Sequence, residues 1–295
     1  MSWAVSPQTL EGLWRAWGEG WARARGLDPR ALEGGGEEAK RWGDWGLSAR
    51  LAQVAAFFPE GHAALDIGAD HALLPIALTR AGRAPAALAV DINAAPLEGA
   101  RRRLGADDRV ALALADGFEA LEPARGGREA LEALAALSGV ARPPLCVTIC
   151  GVGGKLVAEL MARAPLDVER AVLQPNLQHE RVVAALSSLG WRVEGARLTL
   201  EGGRLFLTLS ARRAGGEPPP LAPLTPPDLE RLLRDDPLCP LWLWVHLERV
   251  SARAPASLEG LPAAAADHWR AQRARRDALH NALSALVAST PTPQE

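Results

Sequence analysis

The sequence predicts an α/β fold, a mostly parallel sheet closed by an antiparallel hairpin and followed by a helical C-terminal appendage. Three observations predict it. Short β-rich runs alternate with longer helical patterns between residues 47 and 213, the signature of parallel strands joined by crossover helices. That stretch ends in two strand-like runs flanking Glu201-Gly202-Gly203, which read as a hairpin. A Pro-rich segment then separates it from a tail with helical spacing.

The elements follow in order. Leu47 to Phe58 reads as a helix with Leu47, Leu51, Val54 and Phe58 on one face. Ala63 to Ile67 is a strand, Leu73 to Arg80 a helix, Ala86 to Asp91 a strand, Ala95 to Leu104 a helix and Val110 to Leu114 the third strand. The insertion 124–143 carries an extra helix over Arg128 to Leu137. Leu145 to Ile149 is a fully apolar strand, Lys155 to Met161 a helix, Ala171 to Gln174 a strand and His179 to Leu189 a helix. Trp191 to Leu200 and Arg204 to Ala211 form the hairpin. Five βα units closed by a hairpin resemble the Rossmann-like sheet of class I methyltransferases rather than that of dinucleotide dehydrogenases.

Four parts result. Residues 1–46 form a Trp-rich helical N-terminal extension: Leu10, Leu13, Trp14, Trp17 and Trp21 place a helix around 8–25, Glu33 to Glu38 with its three glycines reads as a linker, and Trp42 and Trp45 dock the arm onto the main domain. Residues 47–213 are the α/β domain with the methyltransferase-like pattern, 214–227 a stiff Pro-rich linker, and 228–295 a helical C-terminal domain. Its last helix, over 264–288, sets Leu279, Leu283, Leu286 and Val287 on one face and carries Arg270, Arg273, Arg275 and Arg276 in its first turns.

Composition narrows the function. With 33 Lys+Arg against 35 Asp+Glu the net charge is -2, so nothing pulls the whole chain toward nucleic acid. No apolar run approaches the ~20 residues of a membrane helix and no signal peptide is visible, which predicts a soluble cytoplasmic protein with no membrane partner. The 3 Cys and the scattered His have no ligand spacing, so no metal is expected. Cys146 and Cys150 share one face of a strand and read as apolar packing.

The turn Asp66-Ile67-Gly68-Ala69-Asp70-His71 decides the ligand. A dinucleotide site needs G-x-G-x-x-G to bring backbone amides against a pyrophosphate. Here one glycine and two carboxylates stand instead, which repel phosphate and suit a ligand bearing an amino group and a sulfonium. S-adenosyl-L-methionine has both. Asp91, closing the second strand, suits the ribose hydroxyls, and Asp116-Gly117, after the third, the adenine amine. The expected cofactor residues are therefore Asp66, Gly68, Asp70, Asp91, Asp116 and Gly117, with Arg50 in reach of the methionine carboxylate.

More specifically, Leu47-Ser48-Ala49-Arg50-Leu51, Asp66-Ile67-Gly68-Ala69-Asp70-His71-Ala72-Leu73-Leu74-Pro75, Ile149-Cys150-Gly151-Val152-Gly153-Gly154 and Leu173-Gln174-Pro175-Asn176 resemble the bacterial tRNA (adenine-22 N1)-methyltransferase family. The resemblance runs from about Leu47 to Arg212. Val152 stands where that family usually has Met, and Leu205-Phe206-Leu207 lacks its usual Tyr. The resemblance implies a C-terminal helical extension, tRNA as partner and methyl transfer to N1 of adenine 22.

Adenine N1 has an in-plane lone pair and no proton, so the transfer needs positioning rather than a general base. N1 lies on the Watson–Crick edge, so a paired adenine must leave its helix first. The expected catalytic residues are Gly151, Gly153 and Gly154, which let a planar base approach the backbone, with His71 and Asn176 as hydrogen-bonding groups. Gln174 and Pro175 are expected at the acceptor edge, and Arg270, Arg273 and Arg276 on the RNA backbone. Two alternatives share the pattern: the same fold acting on another RNA or a small molecule, and a non-catalytic RNA-binding scaffold.

Overall fold

A computed structural model describes residues 37–106, 108–122, 124, 127–201 and 204–214, with single positions and short runs between 236 and 281. The expected helix around 8–25, the glycine linker at 34–36, nearly all of the linker 214–227 and the helices before 253 lie wholly or mostly outside the described residues.

One sheet of seven strands, in the order β3-β2-β1-β4-β5-β7-β6, organises the main unit. Strands β1 (Ala63–Ile67), β2 (Ala87–Asp91), β3 (Val110–Leu114), β4 (Leu145–Cys150) and β5 (Val168–Gln174) are parallel. Strand β7 (Arg204–Arg213) runs antiparallel to β5, with β6 (Trp191–Glu201) outside it. The helices are α1 (Glu37–Gly43), α2 (Ala49–Phe57), α3 (Leu73–Arg80), α4 (Ala94–Arg103), α5 (Gly127–Ser138), α6 (Gly154–Ala162) and α7 (His179–Ser188), with a 3₁₀ turn at Gly117–Leu121.

Burial follows from this order. Every residue of β1 and β2 is buried, as expected for central parallel strands with helices on both faces. The outer strand β6 alternates instead: Trp191, Val193, Ala196 and Leu198 are buried, while Arg192, Glu194 and Arg197 face solvent. Chain order runs outward from β1 through β2 to β3, then returns to β4 on the other side of β1. The β1/β4 boundary is thus the switch point, where a crevice opens beyond the carboxyl ends of the strands.

Helix α1 is an addition to the sequence expectation and corrects it at Glu37 and Glu38, which are helical rather than linker. It packs on α2, and Ala39 and Trp42 join Leu47, Val54, Ala55 and Phe58 in one buried cluster. Trp42 is buried, whereas Trp45 keeps 46% of its surface exposed. The chain divides into two compact units, one of Gly34–Thr199 and Phe206–Leu232, the other of Met1–Glu33, Leu200–Leu205 and Leu233–Glu295. In the second, the described residues of 263–281 are helical, and Leu238, Trp242 and Ala266 are buried.

Candidate functional site

A cavity of ≈ 640 Å³ opens over the switch point. Its walls are the turns after β1, β2, β3 and β4, together with Arg50 and Leu51 of α2, Leu73 and Leu74 of α3, and Leu156 and Leu160 of α6. Among the described residues, Asp66, Gly68, Asp70, His71, Asp91, Asp116, Gly117, Gly151 and Arg50 all line it. Residues far apart in sequence converge because each follows, or stands beside, the carboxyl end of a parallel strand.

One side of the cleft is acidic. Asp66 is buried at the end of β1, where the Thr148 hydroxyl donates to its carboxylate at 2.5 Å. Burial pushes the Asp66 carboxyl up to about 7; the Thr148 hydrogen bond opposes the rise and the Asp91 charge adds to it. Asp91 accepts the backbone N–H of Asp70 at 3.2 Å and that of Asn93 at 2.8 Å, tying the first two turns to one carboxylate. Asp116 faces the Arg163 guanidinium at 3.4 Å, in a pair too exposed to add much stability.

The first turn is built under strain. Asp70 and Ala72 take φ of 49° and 54°, a left-handed backbone that costs non-glycine residues on the order of 1 kcal/mol or more each. The His71 ring between them rests in the notch left by Gly99 on α4: a Cβ on Gly99 would stand 2.3 Å from His71 Nδ1. That nitrogen is buried with no hydrogen-bond partner, while Nε2 lies 3.7 Å from the Asp70 carboxylate. A neutral ring with its proton on Nε2 leaves no buried donor unsatisfied. Gly117, at φ 61°, admits Leu160 to 2.5 Å from where its Cβ would be, so the third turn also needs glycine.

The other side is uncharged apart from Arg50. Gly151 turns the chain after β4 at φ 75°. Its N–H donates to the Gln174 carbonyl at 3.0 Å, and the Asn176 N–H donates to the Val152 carbonyl at 2.9 Å, so the turns after β4 and β5 are laced together. Arg50 Nη1 donates to Gln174 Oε1 at 2.9 Å, and its guanidinium stands 5.7 Å from the centre of the Phe206 ring.

Several expected site residues sit elsewhere. Gln174 and Pro175 are buried at the inward-facing end of β5, and neither they nor Gly153, Gly154 and Asn176 are among the residues lining the cleft. Gly154 is a packing glycine: a Cβ there would meet the carbonyl oxygens of Leu177 and Gln178 at 2.5 and 2.7 Å. Gly153 has nothing within 4 Å of its Cβ position, and Asn176 is half-buried. Arg270 pairs with Asp267 within the second compact unit, which also contains Arg273, and Arg276 lies outside the described residues. No cluster of 3 or more potential metal ligands occurs among the described residues, and no helix there is long and apolar enough to cross a membrane.

Sequence reasoning missed four participants. Thr148 hydrogen-bonds Asp66; Phe206 packs under Arg50; Ile92 lines the cleft while 66% exposed; and Cys150 lines it too, its thiol pushed far up by burial and by the Asp66 charge. Only Ile92 carried a signal, as a large apolar residue directly after a strand-ending Asp.

A parallel sheet of this order, with an antiparallel closing strand and an acidic cleft over its switch point, has the Rossmann-like methyltransferase architecture. Residues 47–209 match the Methyltransferase domain family, and the chain belongs to that family. It is 31% identical over 137 residues to the tRNA (adenine(22)-N(1))-methyltransferase of Bacillus subtilis, a match covering 44% of this chain and 50% of that protein. The chain thus spans about half the length of the curated relative it matches. Among solved structures, Sp1610 of Streptococcus pneumoniae superposes with a TM-score of 0.60 at 23% identity, covering 80% of this chain and 99% of that one. M. capricolum TrmK in complex with S-adenosyl-homocysteine gives 0.59 at 18% identity, covering 81% and 99%. The B. subtilis M1A22 tRNA methyltransferase TrmK gives 0.54 at 20% identity, covering 80% and 98%. These likenesses carry the fold.

Proposed function

We propose that this chain is an S-adenosyl-L-methionine-dependent tRNA methyltransferase that alkylates N1 of an adenine, at position 22 by likeness to the B. subtilis relative. The observation that carries the reading is the convergence of Asp66, Asp91 and Asp116 on one cleft that also holds Arg50. The donor set fits the cofactor: carboxylates for its cationic centres and ribose, a guanidinium for its carboxylate, and a volume of ≈ 640 Å³ within the ~300–1,000 Å³ usual for such ligands.

In this reading Asp66 and Asp70 set the negative potential at the ammonium and sulfonium. Asp91 accepts from the ribose hydroxyls, beside Ile92, and Asp116 from the adenine amine, with Gly68 permitting close approach and Gly117 turning the chain against Leu160. Arg50 meets the methionine carboxylate. When bound, the cofactor supplies an electrophilic methyl on a sulfonium. Gly151 and Gly153 leave room for the acceptor base, and His71 and Asn176 orient it. The N1 lone pair forms the new C–N bond as the C–S bond breaks, leaving a thioether and a cationic 1-methyladenine, so no residue has to move a proton. Arg270, Arg273 and Arg276 supply the positive charge that the net charge of -2 leaves to local clusters.

The test is nucleoside mass spectrometry of unmodified tRNA incubated with the protein and methyl-labelled S-adenosylmethionine. The expected product is labelled 1-methyladenosine. Labelled N6-methyladenosine, or label confined to a small molecule, would overturn the acceptor assignment.

A further inference from the structure

The side-chain contacts on the uncharged side of the cleft form one chain with a fixed direction. Arg50 Nη1 donates to Gln174 Oε1 at 2.9 Å, Gln174 Nε2 donates to Asn176 Oδ1 at 3.3 Å, and Asn176 Nδ2 donates to the Gly151 carbonyl. A guanidinium has donors only. Gln174 must therefore turn its carbonyl toward Arg50, which leaves its NH₂ for Asn176. The Asn176 carbonyl is thereby engaged, and its own NH₂ is left for Gly151. Both amide orientations are dictated from the Arg50 end, with no freedom to flip either one alone.

The chain links two residues that face the cleft through one that does not. Arg50 and Gly151 both line the cleft, whereas Gln174 is 0% exposed and does not. Gln174 does not face the cleft, yet its side chain joins the Arg50 guanidinium to the loop after β4. Its main chain works in the same sense, since its carbonyl receives the Gly151 N–H. A charge at the head of a hydrogen-bond chain polarises the links behind it, so a change at Arg50 is felt at the Gly151 carbonyl.

We infer that Gln174 is a positioning residue that couples the cofactor-facing Arg50 to the acceptor-side loop at Gly151, within the uncharged side of the cleft. Its carbonyl aims the Arg50 guanidinium at the cofactor's carboxylate, and its amide nitrogen, through Asn176, sets the acceptor-side loop at Gly151. The inference rests on the proposed function, because it assigns the two ends of the chain to cofactor and acceptor.

Three variants test it: Gln174→Met, Gln174→Glu and the double variant Arg50→Ala/Gln174→Met, compared with wild type and Arg50→Ala. Affinity for S-adenosylhomocysteine is read by calorimetry, and kcat by methyl transfer to tRNA. Gln174→Met breaks both links and should weaken the cofactor roughly fivefold and lower kcat more than about tenfold. The double variant should bind cofactor no worse than Arg50→Ala, to within about twofold, because the two residues act through one contact. Gln174→Glu keeps an acceptor for Arg50 but has no N–H for Asn176. It should hold cofactor affinity within about threefold and still lose about tenfold in kcat, a split that general destabilisation does not produce.

Should Gln174→Met fail to fold, the Gln174→Glu split decides alone. Additive cofactor losses in the double variant overturn the inference, as does a Gln174→Glu protein in which affinity and kcat fall together or neither changes. A wild-type protein that binds no S-adenosylhomocysteine overturns the proposed function instead, so the two failures are distinct.

Discussion

The two halves of the cleft are built from the same topological part, the turn after a parallel strand, and do opposite work. The chain places Asp70 after β1 and Asp116 after β3, with Asp66 inside β1 and Asp91 closing β2. After β4 and β5 it places glycines, a proline and an asparagine, laced by hydrogen bonds between neutral groups. Carboxylates attract a cation from any angle but are costly to desolvate, whereas amides and bare backbone recognise by shape. The acidic half is therefore suited to a ligand carrying formal positive charge. The neutral half is suited to a flat, uncharged partner whose charge appears only as it reacts.

The largest effect that can break this division is steric. Gly153 and Gly154 are neighbours with opposite surroundings: nothing lies within 4 Å of a Cβ at Gly153, while backbone carbonyls stand at 2.5 and 2.7 Å from one at Gly154. Gly153→Val should therefore fold normally and bind cofactor normally, yet lose methyl transfer by at least ~100-fold, about 2.7 kcal/mol of transition-state stabilisation. Wild-type turnover in this variant would take the acceptor away from the neutral half.

On the acidic half, Asp91→Ala removes the carboxylate shared by the Asp70 and Asn93 amides and, in the proposed function, by the ribose. Affinity for S-adenosylhomocysteine should fall by roughly 1.5–3 kcal/mol, the usual worth of hydrogen bonds to a charged group. Calorimetry is the check, and unchanged affinity would remove the ribose from this site. Gly154→Ala then tests the packing reading. It should cost about 1–3 kcal/mol of stability through overpacking, measured by denaturant unfolding, whereas Gly153→Ala should be near neutral.

How much of this was legible in the sequence also differs between the halves. The sequence reading places β1 at Ala63–Ile67, α3 at Leu73–Arg80 and β3 at Val110–Leu114, as the structure does. Apolar runs bounded by Gly, Asp and Pro announce such elements locally. The acidic residues were legible for the same reason, since a carboxylate at the end of an apolar strand stands out. Gln174 was not: its position beside Pro175 says that a turn begins, but only the register of β5 between β4 and β7 turns its amide inward. Thr148 and Phe206 were hidden likewise, because their partners Asp66 and Arg50 are distant in sequence and meet only when the sheet assembles. Helix α1 was missed because the glycines before it read as a linker, while Trp42, which holds it down, needs the tertiary surface of α2.

The smallest expected effect is the most diagnostic of the acidic half, because it depends on Asp66 having a carboxyl raised to about 7. An unfolded chain returns that group to about 3.8, so between these values the folded protein binds more protons than the unfolded one. Stability of the ligand-free protein attributable to Asp66 is then fully present at low pH and is lost as pH rises from about 4 to about 7. Cofactor affinity should move the opposite way. Ionised Asp66 attracts a ligand with two positive centres, so binding should tighten severalfold between about pH 6 and pH 8 and level off above. Asp66→Asn should flatten the binding profile around pH 7. Thr148→Val, which removes the hydrogen bond that favours the charged form, should shift the inflection to higher pH without flattening it. Calorimetric titrations of S-adenosylmethionine at several pH values in the three proteins decide the matter. A wild-type affinity that is constant from pH 6 to 8 would mean that Asp66 does not change charge in this range, and the recognition of positive charge would then rest on Asp70, Asp91 and Asp116.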